Sequence, residues 1–312
     1  MSIFSQSFPP KAKWTADDIP DLTGKVMLVT GGHSGIGKET VKALLAHNAT
    51  VYMAARSRAR AEAAIAEPQR TTGRSARFLD LDLASLASVR RAAEDCSKTQ
   101  LHVLFNSGCV LCFLYDGIQG RDDEGYDLQF GVNVLGHFHL TRLLLPALLA
   151  ASSSPTSEHH APEARVVTTS SLGHVFTPLD LDAVHPGPAR TRLGRQELYQ
   201  MSKYGNVVFA AELARRYGEQ ELVSIAVNPG NIRSDLNRDA SAVQKFLSRI
   251  LFYPTEKGAL TQLFAGTAPE AESMNGKYLI PWARVGEARP DALDPELGKK
   301  LWEWMEEQVN DA

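Results

Sequence analysis

The sequence predicts an open α/β fold: a doubly wound, mostly parallel sheet of about seven strands with helices on both faces. Three observations carry that prediction. Apolar runs of strand length alternate with helical segments between about residues 26 and 227, the pattern of βαβ units. The first run breaks into three glycines and opens directly into a helix. Polar or glycine-bearing residues follow each apolar run, where an open α/β sheet gathers its ligand contacts.

Residues 1–23 read as a loosely attached arm, and one continuous domain follows over 24–312. Val26 to Val29 is the first strand, and a helix over about 36–47 follows the glycine turn. Thr50 to Ala55 is the second strand, and Ala59 to Ala66 a helix that Pro68 ends. Ser75 to Leu79 makes a third strand, Ser85 to Asp95 a helix, and Leu101 to Phe105 a fourth strand. Gly125 to Ala151 is a long helical region. Ser152 to Ala164 reads as a surface loop, being rich in serine and proline. Arg165 to Thr169 is the fifth strand, 172–196 is irregular, and a helix runs from about Leu198 to Tyr217. Val223 to Val227 and Lys277 to Ile280 complete the strands, before a terminal helix over about 295–309. Its stripe of Leu297, Leu301, Trp304 and Met305 belongs to the core or to a subunit interface, so a homodimer is one expectation.

Composition narrows the function. Hydrophobic residues make up 44% of 312, enough for a sizeable core. With 33 basic against 36 acidic residues the net charge is -3, which argues against a nucleic-acid partner. Three cysteines (Cys96, Cys109, Cys112) fit a reducing compartment rather than a disulfide scaffold. Cys109 and Cys112 have CxxC spacing without a second ligand pair, and read as small apolar loop residues. His137 and His139 are two apart and cannot share a helix face, so no metal site is expected. No signal-peptide core appears in residues 1–20, and the apolar zone Leu140 to Ala151 is too short to span a bilayer. A soluble cytoplasmic protein is the expectation.

The glycine turn Thr30-Gly-Gly-His-Ser-Gly-Ile-Gly37 is where ligand chemistry begins. Glycine lets a backbone turn tightly and approach a ligand closely. The helix start behind it offers unpaired N–H groups and partial positive charge, a seat for a pyrophosphate. Tyr199 and Lys203 are four apart on a helix and project from one face. A free phenol, with a pKa of about 10, is a poor acid–base group at neutral pH, and a nearby ammonium favours the phenolate. Ser170 and Ser171 end a strand and point oppositely, so only one can face Tyr199. Asn133 is unfavourable inside a helix, a conflict that points to a role.

These pieces together resemble the short-chain dehydrogenase/reductase family. The glycine turn matches TGxxxGIG. Asn133, Ser171, Tyr199 and Lys203 match the family's tetrad, and Asn228-Pro-Gly230 its PG motif, in order across about residues 24–235. The retinol-dehydrogenase-like and fungal members resemble it most, through Gly125 to His137, Asn228 to Asp235 and Asn275 to Arg284. The resemblance implies a Rossmann-like fold that binds a nicotinamide dinucleotide. It selects Ser171 to polarise a substrate carbonyl, Tyr199 as acid–base, Lys203 to lower the tyrosine pKa and hold the ribose, and Asn133 to hold a relay water. Residues expected against the cofactor are Gly31, His33, Ser34, Gly35, Ile36, Gly37, Arg56, Ser57, Asp82, Leu83, Asn106, Ser107, Gly108, Tyr199, Lys203, Pro229, Gly230, Ile232 and Ser234. Asn106-Ser-Gly-Cys109 departs from the family's Asn-Asn-Ala-Gly, which touches cofactor affinity rather than reaction type.

After the second strand, Met53-Ala-Ala-Arg-Ser57 holds no acid to meet a ribose hydroxyl, and Arg56 suits a 2′-phosphate, so NADP(H) is expected over NAD(H). The expected activity interconverts an alcohol and a ketone or aldehyde. Phe113, Leu114, Tyr115, the 172–196 segment and about 235–255 would wall a pocket for a lipophilic, terpenoid-like or other secondary-metabolite substrate. Two alternatives use the same fold: a cofactor-binding sensor without turnover, and a redox-neutral isomerase or dehydratase.

Overall fold

The computed structural model describes residues 3–96, 100–110, 125–152, 164–233 and 252–310. Within them one sheet runs in the order β3-β2-β1-β4-β5-β6-β7-β8. Its strands are β1 Val26–Thr30, β2 Thr50–Ala55, β3 Arg77–Asp80, β4 Val103–Asn106, β5 Ala164–Thr169, β6 Leu222–Val227, β7 Tyr278–Ile280 and β8 Arg284–Gly286. The first seven are parallel and β8 turns back antiparallel. This is the Rossmann-like doubly wound sheet, with one short edge strand more than the apolar pattern predicts. The helices are α1 Ile3–Ser7, α2 Gly35–Ala46, α3 Arg58–Thr72, α4 Leu86–Cys96, α5 Leu128–Phe130, α6 Gly136–Ser152, α7 Pro188–Thr191, α8 Arg195–Tyr217, α9 Thr255–Thr267 and α10 Pro295–Val309.

Strand periodicity divides the apolar side chains between two cores. Leu28, Leu104 and Val166 face α4, α6, α8 and α10. Met27, Val29, Val51, Met53, Phe105 and Val167 face α2, α3 and α9. Both layers are fully wound, which explains why the central strands are apolar at every position rather than at alternate ones. The terminal stripe falls into the first core. Leu301 and Met305 are buried, Leu297 and Trp304 pack beside them, and the Trp304 ring meets Phe130 edge-on at 5.9 Å.

Three elements differ from their sequence prediction, and the long helical region agrees with its own. The arm is fastened: Ile19 and Leu22 lie in the second core, the Leu22 N–H donates to the His47 carbonyl (2.8 Å), and the Trp14 ring stands edge-on to Phe264. Helix α3 runs through Pro68 and stops at Gly73 in the left-handed region (φ 70°). A proline costs its helix one N–H bond, but left-handed glycine is what ends it here. Helix α9 fills a stretch with no amphipathic signal. The long helical region expected over Gly125 to Ala151 is present, α5 and α6 being joined by a π-helical turn at Gly131–Leu135 into one rod, Leu128–Ser152. That rod has the length and composition to cross a membrane, yet most of its apolar window is buried against α4 and the sheet, so it is the core helix of the fold. The segment 172–196 is irregular as expected, with 3-10 turns at Leu172–Val175 and Leu181–Ala183 and the short α7.

Candidate active site

The sheet's topology reverses between β1 and β4, and the carboxyl ends of the strands meet there. Gly31 leaves β1 with φ +66°, and a Cβ on it would stand 2.8 Å from the Gly108 Cα. The turn after β1 and the turn after β4 therefore touch backbone to backbone. Gly35 (φ +53°) has open space where a side chain would lie, and a Cβ on Gly37 would meet the Gly31 carbonyl at 2.5 Å. Ser34 is the N-cap of α2 but its hydroxyl makes no capping bond. The helix start thus keeps donors for an anion, the fit expected of a pyrophosphate cradle. The His33 Nδ1 is buried in the same turn without a protein partner.

Around this cradle the structure brings most of the predicted cofactor residues together. Ile36 and Ile232 converge on Gly258 of α9. Burial first, then the Arg60 and Arg56 guanidinium groups, push the His33 pKa below its ordinary value, which puts two cations beside the turn. Ser57 caps α3, accepting from the Arg60 N–H at 3.4 Å. Asp82 accepts from the Ala84 N–H (3.0 Å), and the Leu83 side chain packs on Gly108. Asn106 Nδ2 donates to Thr141 Oγ1 at 3.0 Å. Pro229 and Gly230 follow β6, Gly230 with φ +87° beside Pro281 and Trp282. Ser234, Cys112, Phe113, Leu114, Tyr115 and residues 235–251 lie outside the described residues.

The residues matched to the tetrad are brought together by β5, the π-helical turn at Gly131–Leu135 and α8. Ser171 follows β5, its Oγ accepts from the Gly173 N–H at 3.1 Å, and it is hydrogen-bonded to the Tyr199 side chain. Ser170 turns the other way and donates to the Lys203 carbonyl at 2.7 Å. Lys203 is buried. Its Nζ donates to the Thr169 carbonyl (2.9 Å) and sits 5.6 Å from the centre of the Tyr199 ring. Asn133 uses its whole amide as a clamp: Oδ1 accepts from the Val110 N–H (2.9 Å), while Nδ2 donates to the Val110 carbonyl and to Ser202 Oγ. That side chain therefore braces the turn after β4 against α8. Burial is the main influence on the Tyr199 phenol and raises its pKa; neighbouring Cys109 adds to the rise and Ser171 opposes it.

Three contributors escaped the sequence reading. Cys109 stands where the family has glycine, and its exposed thiol is hydrogen-bonded to Tyr199; the departure from the motif was the available signal. Gln262 on α9 is buried, accepts from Ser107 Oγ (3.3 Å) and Thr169 Oγ1 (3.1 Å), and donates to Thr40 Oγ1. It supplies the cross-strand bonding that a second asparagine at position 107 would give, and no local pattern marked it. Gln6 of α1 accepts from Asn228 Nδ2 at 2.9 Å, so even the arm reaches the motif after β6. Among the described residues no cluster of metal-ligating side chains occurs.

A doubly wound sheet with a glycine turn at its topological switch, and with tyrosine and lysine one helical turn apart on α8, defines a class of dinucleotide-fold oxidoreductases. The family model for short chain dehydrogenase matches residues 25–177. A short-chain dehydrogenase/reductase of Armillaria gallica is 54% identical over 99% of this chain and 98% of the relative. One from Neocamarosporium betae is 36% identical over 99% of this chain and 93% of its own. The chain belongs to the short-chain dehydrogenase/reductase family. Among solved structures, an uncharacterised protein of Mycobacterium paratuberculosis aligns with TM-score 0.73 at 28% identity, covering 96% of this chain and 98% of the other. L-sorbose reductase of Gluconobacter frateurii shares the fold, with TM-score 0.65 at 18% identity over 83% and 96%.

Proposed function

We propose that the protein is an NADP(H)-dependent alcohol dehydrogenase/carbonyl reductase acting on a lipophilic alcohol, ketone or aldehyde. The observation that carries this reading is the Ser171–Tyr199 hydrogen bond, with the Lys203 ammonium over the tyrosine ring. A nicotinamide cofactor would supply the hydride. Ser171 and Tyr199 then present two hydroxyls to one carbonyl oxygen, and charge developing on that oxygen is met by both. Burial holds the Tyr199 phenol protonated, which suits the donor of the proton in the reducing direction. Lys203, anchored on the Thr169 carbonyl, stabilises the tyrosinate left behind until solvent returns the proton. In a cytoplasm that keeps the cofactor reduced, reduction is the working direction.

The NADP(H) preference rests on Arg56 and Arg60 beside His33 and on the lack of an acid over Met53 to Ser57. A planar guanidinium pairs bidentately with phosphate. The lipophilic substrate rests on exposed Phe176 and Phe252, with Tyr253 edge-on to Trp282 beside Gly230.

The test is NADPH oxidation with a panel of lipophilic ketones. Tyr199→Phe should lower kcat at least 100-fold and leave NADPH binding within about threefold, the size expected when a proton donor is removed. Turnover surviving in that variant would refute the assignment, and so would product formed without net cofactor change. Arg56→Glu should reverse the preference between NADPH and NADH.

A further inference from the structure

His137 stands one helical turn beyond Asn133 and is buried. Its Nδ1 lies 3.1 Å from the Asn133 main-chain carbonyl, and its Nε2 lies 2.8 Å from Thr30 Oγ1. A carbonyl oxygen can only accept, so Nδ1 carries the ring proton. Burial pushes the His137 pKa down to about 4, so the ring is neutral and Nε2 presents a lone pair. The Thr30 hydroxyl is the donor to it. That leaves the Thr30 oxygen free to accept from the Ser107 N–H at 2.9 Å and the Gly108 N–H at 2.8 Å. The opposite tautomer fails on both sides. It would face an Nδ1 lone pair to the carbonyl and give Thr30 a third donor, turning its own proton to the Phe105 carbonyl at a longer 3.2 Å.

The consequence concerns the turn after β4. The main chain of residues 107–110 hangs between two holders, Thr30 gripping Ser107 and Gly108 and the Asn133 side chain gripping Val110, while Gln262 takes only the Ser107 hydroxyl. At its crest, Cys109 touches Tyr199. His137 is bonded to both holders.

We propose that His137 is a positioning residue that, through a single fixed tautomer, couples Thr30 of the glycine turn to Asn133 of the tetrad, and so sets the height of the 107–110 turn between the cofactor cradle and Tyr199. The inference deepens the function proposed above and rests on it for its kinetic part. A buried ring touching two partners, each bonded to the same turn, transmits displacement from one to the other without meeting substrate.

Two conservative variants separate the two contacts. The amide of His137→Asn overlies Nδ1 and keeps the Asn133 bond, while that of His137→Gln overlies Nε2 and keeps the Thr30 bond. In His137→Asn, hydrogen exchange in the peptide covering Val103 to Val110 should accelerate at least tenfold and NADPH should bind several-fold more weakly, with kcat within about twofold. In His137→Gln the exchange should stay near wild type, while kcat falls about tenfold. In the unsubstituted protein, imidazole nitrogen shifts should show the proton on Nδ1. A proton on Nε2, or Asn and Gln variants alike in exchange, NADPH affinity and kcat, would overturn the proposal. If the wild type neither binds nor oxidises NADPH, the function reading falls instead, while the tautomer and the exchange rates still decide this one.

Discussion

Gln262→Leu isolates the one side chain that ties three parts of the site together. Leucine keeps the volume and removes both the acceptor for Ser107 and Thr169 and the donor to Thr40. The three losses are unequal. Ser107 is only half-buried and can turn to water. Thr40 still donates to the Ile36 carbonyl at 2.9 Å and loses only an incoming bond. Thr169 is 7% exposed, and its hydroxyl is left facing leucine. An unsatisfied buried hydroxyl costs about 2 kcal/mol, and the two replaceable bonds about 0.5 kcal/mol each, the low end of their range, so the sum is about 3 kcal/mol. For a chain of this size, each kcal/mol moves Tm by about 2–4 °C, giving a fall of about 6–12 °C by calorimetry. Lys203 hangs from the carbonyl of the same Thr169, so kcat should fall with stability. A loss below about 1 kcal/mol by calorimetry or urea unfolding would show that these bonds are replaced and that the bridging argument is wrong. Gln262→Glu supplies a check of sign. Its protonated form mimics glutamine, so that variant should approach wild-type stability as pH falls and lose it as pH rises through the raised carboxyl pKa.

Three further outcomes follow from other contacts. Gly136→Ala would drive a methyl into the Leu83 carbonyl, a backbone atom with no rotamer to escape to; a loss of about 2–3 kcal/mol in chemical unfolding and weaker NADPH binding are expected, and wild-type values for both would contradict the close approach. The buried His137 ring, its pKa lowered from 6.5 to about 4, gives stability that is complete above pH 6.5 and is lost as pH falls toward 4. At about 1.4 kcal/mol per pH unit the effect reaches roughly 3 kcal/mol, and urea midpoints of wild type and His137→Phe should converge as pH falls toward 4. A constant gap would refute it. Cys109→Gly removes a neighbour that raises the Tyr199 pKa. The alkaline limb of the reductive pH–rate profile should then move to lower pH, and an unmoved limb would show that the thiol contact is not felt by the phenol.

Legibility in the sequence tracked how local each cause is. Strands β1, β2, β5 and β6 were readable because an apolar run that stops at glycine, asparagine or serine has few alternatives. Helix α9 was not. Every residue from Gly258 to Thr267 is buried, and a helix surrounded by protein has no polar face to create a period of 3.6. Strand β8 is three residues long with Val285 exposed, too short to alternate. The end of α3 was misplaced because Pro68 is a local deterrent, while the observed stop depends on a left-handed Gly73 that the sequence also contains. The arm was misjudged because its anchors, such as Gln6 on Asn228 and Leu22 on His47, lie on partners far along the chain.

The site shows the same division at finer grain. Tyr199 and Lys203 are one turn apart on α8, so spacing alone puts both on one face of it. The residues that hold them in register act across the fold: Gln262 bonds Ser107 from 155 positions away and His137 bonds Thr30 from 107. Such bonds are indifferent to neighbours in sequence, since a buried polar group needs a partner and any element that packs there can provide one. Replacement of asparagine by Ser107 therefore looked like a weakness in the motif, yet α9 delivers the missing acceptor. Cys109 differs in kind, because its thiol adds a group beside the Tyr199 phenol and raises the phenol's pKa. A departure that shortens a side chain can be repaired from elsewhere in the fold; one that adds a thiol beside the Tyr199 phenol changes that phenol's pKa, which makes Cys109 the better place to look for what is particular to this site.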